Sequence, residues 1–274
     1  MARHWLILLT LPLGLFVLGA VAAPTLMATG LEWPGRALYA LYGLTCHQLP
    51  QRSYFLFGPR LVQTYSWDQL LAAGMDPLRP RQFLGTAEMG YKLGLAHRNT
   101  AIYGSLLVGS FVFGLVARLR GRRRLHISRW TLVAPWLLAL LFMAVDGGSH
   151  LVSELSRWDF RADNVWLQTL TGGALPAHFY VGDGIGSFNW LMRTVTGTLV
   201  GLTSAWLVLP TLRVGFEGQP GAATPDQVSQ SPGASEETDI GSSLSTDAWG
   251  RTSCHQVEAS GGPLVSYTDD GVTK

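Results

Sequence analysis

Charged residues are scarce in this 274-residue chain, at 14% of the sequence, against roughly one quarter in soluble domains. Hydrophobic residues make up 47%, and ten residues are Trp. A chain with so little charge and so much apolar surface is typical of a membrane protein, because a water-soluble fold needs more charge on its surface.

Cysteine and the common catalytic motifs are also scarce or absent. The two cysteines, Cys46 and Cys254, exclude a disulfide-rich scaffold and a zinc site built from several thiolates of one chain. The sequence contains no P-loop, no Rossmann-type glycine pattern, no GxSxG elbow, no HExxH and no paired CxxC. These absences argue against nucleotide-driven work and against the best-known hydrolase sites.

Lysine is nearly missing, since 18 of the 20 basic residues are Arg. Residues 1–216 carry 18 basic against 9 acidic residues, whereas residues 217–274 carry 2 against 9. Six arginines fall within the twelve residues 118–129. We interpret this cluster as an orientation signal and expect no nucleic-acid partner.

Four apolar runs are long enough to cross a bilayer, and we place the spans near residues 5–28, 100–117, 130–147 and 190–212. The first run also has features of a signal peptide, but it exceeds the usual length of such an apolar region, so we favour a retained anchor. The positive-inside rule keeps the arginine-rich loop in the cytoplasm. A multi-pass membrane protein follows, with both termini cytoplasmic.

The predicted fold class is an all-α integral membrane protein, a bundle of about four transmembrane helices in a domain covering residues 1–215. Two ordered extracytoplasmic loops, 58–96 and 151–188, join the spans. Ala37–Thr45 is apolar but too short to cross, and we predict an interfacial or re-entrant helix there, with a fifth membrane segment as the alternative. Residues 216–274 have the composition of a disordered acidic cytoplasmic tail.

Ionisable residues of the body gather, in this topology, on the outer side of the bilayer. Charges near hydrocarbon usually face the bundle interior and pair, so we expect an ion pair from Asp146 to Arg193 or to Arg98. His47, Arg52, Arg98, Asp146 and Arg193 are the candidate catalytic residues, because histidine, carboxylate and arginine supply acid–base chemistry and anion stabilisation.

A metal site is the alternative use of this region. Asp146, His150 and Glu154 are four residues apart and share a helix face if the third helix continues past the membrane. Cys46, His47, Asp146 and Glu154 are the candidate ligands, a donor set suited to a transition metal such as zinc. Gly147 and Gly148 argue against this helix, at about 1 kcal/mol each.

A family resemblance rests on several motifs in order, beginning with the run Cys46-His47-Gln48-Leu49-Pro50-Gln51-Arg52-Ser53. It continues through 88–92 (EMGYK), Arg98, 101–104 (AIYG), Asp146-Gly147 and Arg193-x-x-Thr196-Gly197. Over residues 24–212 the chain resembles the domain of unknown function 2085 family of small prokaryotic membrane proteins. Many members have cysteines near the equivalent of Arg98, where this chain has Ala96 and Asn99, and Gln is expected at His150. The resemblance implies a prokaryotic inner-membrane setting and brings no activity with it.

Three functions stay open from the sequence. The first is a membrane-embedded enzyme with an outward polar site for a lipid-like substrate, a lipid or an isoprenoid. The second is a small transporter or channel component, and the third is a non-catalytic membrane scaffold or assembly factor. Apart from the lipid bilayer and the possible lipid-like substrate, the sequence indicates no binding partner, and it does not indicate an oligomeric state.

Overall fold

The computed structural model describes residues 4–120, 128–156 and 158–217. Most of these residues are helical, and short 3-10 turns occur at Pro50–Arg52 and Pro80–Gln82. In chain order the elements are α1 (Trp5–Ala28), α2 (Glu32–Tyr42), β1 (Ser53–Leu56), β2 (Val62–Gln63), α3 (Trp67–Ala72), β3 (Gly85–Thr86), β4 (Gly90–Ala96), α4 (His97–Arg120), α5 (Arg129–Ser156), α6 (Val165–Leu170), α7 (Ala177–Tyr180) and α8 (Phe188–Glu217).

Four helices in the described ranges are long and apolar enough to cross a membrane. The stretches that qualify are Trp5–Ala28, His97–Leu119, Trp130–Ser156 and Phe188–Gly215. Helices suit these runs because a helix satisfies every backbone hydrogen bond internally where lipid offers none. The prediction of a multi-pass helical membrane protein is therefore confirmed at this level.

The last of these helices, α8, holds the membrane part together by packing against both α4 and α5. Small residues let α4 and α8 approach closely: a Cβ on Gly201 would lie 2.0 Å from Ser105 Oγ, and one on Gly109 would lie 2.8 Å from the Ala205 Cβ. Trp5 and Phe113 join α8 residues Ala205 and Leu209 in a buried cluster. The small-residue pattern thus serves contacts within one chain.

The short helix α2 folds back along α1 as a hairpin. Gly35 lies against Met27, and the Tyr42 hydroxyl donates a hydrogen bond to the carbonyl of Phe16. At 11 residues, α2 covers about 16 Å and is too short to cross a bilayer. A membrane-crossing fifth segment is therefore not seen here, and the predicted helix near Ala37–Thr45 is α2.

A small sheet occupies the connection between α2 and α4, where the sequence suggested only an ordered loop. Its four strands are antiparallel in the order β2-β1-β4-β3, with Phe55 opposite Lys92. Gly90 has a φ of +82°, and a Cβ there would lie 2.2 Å from the Leu56 carbonyl oxygen, so only glycine fits. The all-helical class holds for the spans and not for this connection.

The third membrane helix and the predicted tail have boundaries that differ from those predicted from the sequence. The third span continues as α5 through Gly147 and Gly148 to Ser156, so Asp146, His150 and Glu154 do lie on one helix. The predicted tail lies outside the described residues except for its first two, which complete α8.

Candidate functional site

Asp146 is the centre of a group of ion pairs at one end of the helix bundle. Its side chain is only 1% exposed, and each oxygen takes one arginine: Oδ2 accepts from Arg98 Nη2 and Oδ1 from Arg161 Nη2, both at 2.5 Å. The predicted ion pair of Asp146 with Arg98 is thus present. The alternative partner Arg193 binds a different carboxylate.

That second carboxylate is Asp183, five residues before α8. Its Oδ1 accepts from Arg193 Nη1 at 2.7 Å and its Oδ2 from Arg52 Nε at 3.2 Å. Arg52 also pairs with Glu154 on α5. Burial alone raises the pKa of Asp183, but the arginines Arg193 and Arg52 outweigh burial and lower it.

His150 connects the two carboxylate centres. Its Nε2 lies 3.1 Å from Arg161 Nη2 and 3.1 Å from Arg193 Nη2. A guanidinium can only donate, so this imidazole nitrogen acts as the acceptor and is unprotonated. We call the eight linked residues the arginine network: Arg52, Arg98, Asp146, His150, Glu154, Arg161, Asp183 and Arg193.

Positive charge exceeds negative charge in the arginine network. Four arginines face two aspartates and one glutamate, and Glu154 is 54% exposed, so its charge is partly screened by solvent. All four oxygens of Asp146 and Asp183 already have arginine partners. The buried Nε atoms of Arg98 and Arg161 have no acceptor in the described part of the chain. The network therefore has more buried donors than acceptors.

Arg161 is held in place by its backbone. Its amide donates to Ser153 Oγ at 3.0 Å, and its carbonyl accepts from Asn189 Nδ2 at 2.5 Å. The guanidinium lies 5.2 Å above the Phe188 ring, a cation–π contact. Burial lowers the pKa of Arg161, while Asp146 opposes that shift. This loop residue thus reaches into the bundle from a fixed position.

Arg52 enters from the other connection, at the end of a 3-10 turn that leads into β1. Burial lowers the pKa of Arg52, but Asp183 and Glu154 outweigh burial and raise it. Next to it, the Tyr54 ring packs on His97 at 4.3 Å, and the Tyr54 hydroxyl accepts from Trp190 Nε1 at 2.9 Å. The sheet and α8 are joined at this point.

The four predicted metal ligands do not come together. Asp146 and Glu154 bind different arginines, Cys46 is buried beside Ala20, Tyr42 and Leu95, and His47 is exposed. The Cys46 sulfur accepts from the backbone amides of Ala96 and Gln48 at 3.4 and 3.5 Å. Across the described ranges, no three His, Cys, Asp or Glu side chains are placed to hold a metal ion. In the described ranges, arginines and not a metal ion pair with the carboxylates of Asp146 and Glu154, so the zinc site that the spacing suggested is not assembled.

Of the predicted catalytic residues, the structure joins Arg52, Arg98, Asp146 and Arg193 in one network and leaves His47 outside it. Sequence reasoning missed Asp183 and gave Arg161 no role. The available signal was weak: both are charged residues in the connection before the last span, a region that also contains five Gly and two Trp.

A separate buried amine lies under the sheet. Lys92 on β4 is fully buried, and its Nζ donates to the carbonyls of Arg81 at 2.8 Å and Gln48 at 3.0 Å. Burial lowers the pKa of Lys92 to about 7; Arg81 lowers it further, and Cys46 opposes the shift.

Comparison with known proteins gives one relative. An uncharacterized protein of Methanocaldococcus jannaschii is 27% identical over 173 residues, which cover 63% of this chain and 67% of that protein. No family model matches the chain, and no solved structure matches it. The resemblance to the domain of unknown function 2085 family stays a prediction. This chain is similar to a protein of unassigned function and is itself a multi-pass membrane protein by its four helices.

Proposed function

We propose that the arginine network binds the anionic headgroup of a lipid or isoprenoid, and that the protein acts on this molecule as a membrane-embedded enzyme. The observation that carries the proposal is the surplus of buried donors over acceptors in the network. Within the described ranges, Arg98 and Arg161 each keep a buried Nε–H without an acceptor, although every oxygen of Asp146 and Asp183 has an arginine partner.

An oxyanion such as a phosphate is the group that would complete this arrangement. Guanidinium groups bind phosphate through paired N–H donors, and such charge-assisted hydrogen bonds are shorter and stronger than neutral ones. A buried donor without a partner costs about 1–3 kcal/mol, which a bound oxyanion would recover. The side chains of Arg52 and Arg98 are 23% and 25% exposed, so the network is open to an incoming ligand.

The location favours a lipid-like molecule over a free ion. Arg98 and Arg193 lie within the first turns of two candidate spans, which puts their guanidinium groups where a bilayer changes from headgroups to hydrocarbon. By the positive-inside rule, we place this end of the bundle on the outer side of the membrane.

His150 positions the guanidinium groups in such an enzyme. Its unprotonated nitrogen accepts from Arg161 and Arg193, which would hold an anionic substrate. The arginines can stabilise negative charge that develops on the substrate.

Native mass spectrometry of detergent-purified protein tests the binding step. We expect wild type and Arg36→Gln to retain an anionic lipid, and Arg161→Gln to lose at least tenfold of it. Arg36 is a matched control because it is exposed and its ion pair in the described part of the chain is with the exposed Glu32. Equal lipid occupancy in all three proteins would overturn the proposal.

A structural role is the second candidate, and one observation favours it. The network ties α4, α5 and α8 to both connections, which is what a scaffold or assembly factor would need. A scaffold predicts that Arg161→Gln lowers stability without changing lipid occupancy. The transporter or channel reading stays an alternative that no particular contact favours.

A further inference from the structure

A cleft opens between α5 and α8 at the end of the helices away from the arginine network. Its volume is about 330 Å³, within the range of roughly 300–1,000 Å³ that ligand pockets occupy. Among the side chains that the structure describes, the lining residues carry no charge: Thr131, Leu132, Pro135, Leu202, Thr203 and Trp206.

The cleft has a local cause in the sequence. Pro135 has no backbone N–H, so α5 loses one helical hydrogen bond there, and its ring keeps the neighbouring turn from packing normally. One residue later, Trp136 Nε1 donates to Ser204 Oγ at 3.1 Å and pins the two helices together beside the cleft. The recess is therefore fixed by a contact on its edge.

Helix periodicity places further apolar residues between the cleft and the arginine network, and we call this stretch of α5 and α8 the furrow. On α8, Val195, Leu199 and Thr203 follow one another at four-residue spacing and share a face. On α5, Leu138 and Phe142 lie three and seven residues after Pro135 and share its face of the helix. The four hydrophobic residues between cleft and network are exposed: Leu138, Phe142, Val195 and Leu199.

The spacing between the two ends fits a single amphiphile. Arg193 and Leu202 are nine residues apart on α8, which corresponds to about 14 Å along the helix. A hydrocarbon chain anchored by its headgroup at Arg193 must extend along the furrow for this length before it enters the cleft.

We propose that the cleft binds the hydrocarbon tail of the anionic amphiphile whose headgroup lies in the arginine network. This inference rests on the proposed function and narrows its ligand to long-chain phosphates. Positive charge at one end of the α5–α8 pair and an uncharged recess at the other match the two halves of such a molecule. A short-chain phosphate fills the network alone.

The test compares two probes, butyl phosphate and hexadecyl phosphate, bound to protein in phosphatidylcholine nanodiscs. Thr203→Phe fills the cleft, and Leu141→Phe places the same aromatic side chain at an exposed α5 position outside the cleft lining. We expect Thr203→Phe to weaken hexadecyl phosphate at least tenfold and to leave butyl phosphate unchanged. Leu141→Phe should change neither.

The outcomes separate the tail site from the headgroup site. If both probes bind wild type equally, or Thr203→Phe leaves hexadecyl phosphate unchanged, the tail site is wrong while headgroup binding stands. If butyl phosphate does not bind wild type, or binds Arg161→Gln equally well, the headgroup site fails and the tail inference fails with it.

Discussion

At the scale of single residues, Asp146 has a strong electrostatic role, because its buried carboxylate neutralises two arginines. Removing one partner of a buried ion pair leaves an uncompensated charge, at a cost of about 3–5 kcal/mol. We expect Asp146→Asn to destabilise the protein by about 3 kcal/mol, since the partial exposure of Arg98 reduces the effect. The thermal unfolding midpoint in detergent is the measurement.

The matched control for this change is Glu32→Gln. Glu32 also pairs with an arginine, but both side chains are more than half exposed. Exposed ion pairs contribute about 0–1 kcal/mol, so this variant should unfold close to wild type. Similar midpoints for the two variants would show that the Asp146 pairs are not buried in the folded protein.

Lys92 gives a pH dependence whose sign is fixed by its lowered pKa. The folded protein holds the pKa of this amine at about 7, against the ordinary 10.5, because of burial. Between these values the unfolded chain binds the proton and the folded chain does not, so stability rises with pH. Below about pH 7 the amine is protonated in both states, and the folded protein bears the full free-energy cost of burying its charge. We expect the unfolding midpoint of wild type to rise by about 2 °C or more from pH 7 to pH 9.

Lys92→Met removes the titrating group and should lose most of this rise, whatever its absolute stability. A wild-type midpoint that is flat or falls over this interval would contradict a buried, easily deprotonated Lys92. So would an identical rise in both proteins.

Some of the site could be predicted residue by residue, and some could not. The pairing of Asp146 with Arg98 follows from the rule that charges near hydrocarbon seek partners, and the structure has it. The role of Asp183 could not be predicted from the sequence. Its partner Arg52 lies far before it in the chain and Arg193 lies after it, and only the folded connections bring the three together. Spacing on one helix suggested a metal at Glu154, and a loop arginine took that carboxylate instead.

At the scale of elements, the packing of α4 on α8 depends on Gly201. A Cβ at this position would lie 2.3 Å from the backbone carbonyl oxygen of Ile102, which cannot rotate away. We expect Gly201→Ala to cost about 1–3 kcal/mol through forced separation of the helices. Thermal unfolding in detergent measures this cost.

Gly104→Ala is the control on the neighbouring helix, since a Cβ there meets no atom within 4 Å. Alanine also favours helix over glycine, so this variant should be neutral or slightly more stable than wild type. Equal destabilisation by both changes would contradict the close approach of α4 and α8.

Long apolar runs made the four membrane helices predictable, while the short elements were not. Strands β2 and β3 are two residues each, below the length at which alternation can be recognised. The two glycines after Asp146 argued against a continuing helix, yet α5 runs through them to Ser156. Gly147 leaves room for the Arg98 guanidinium, since a Cβ there would come within 2.9 Å of Nη1.

At the scale of the whole molecule, the arginine-rich connector predicts orientation. In a variant with Cys46 and Cys254 replaced, we expect an impermeant thiol reagent on intact cells to label Leu78→Cys and not Ser128→Cys. Both positions are exposed, and they lie at opposite ends of the spans. The reverse pattern would show that the protein has the opposite orientation. Labelling of both positions would contradict a membrane crossing by α4 between Leu78 and Ser128.

The Nε–H groups of Arg98 and Arg161 in the arginine network, unpaired in the described part of the chain, are the proposed binding site for an anionic headgroup. Nitrogen-15 NMR of the arginine Nε–H groups in phosphatidylcholine nanodiscs, assigned by Arg→Lys substitution, observes those atoms directly. On addition of hexadecyl phosphate, we predict that the Arg98 and Arg161 signals shift while that of the exposed Arg36 does not. Unmoved Arg98 and Arg161 signals, or equal shifts at all three arginines, would contradict the account.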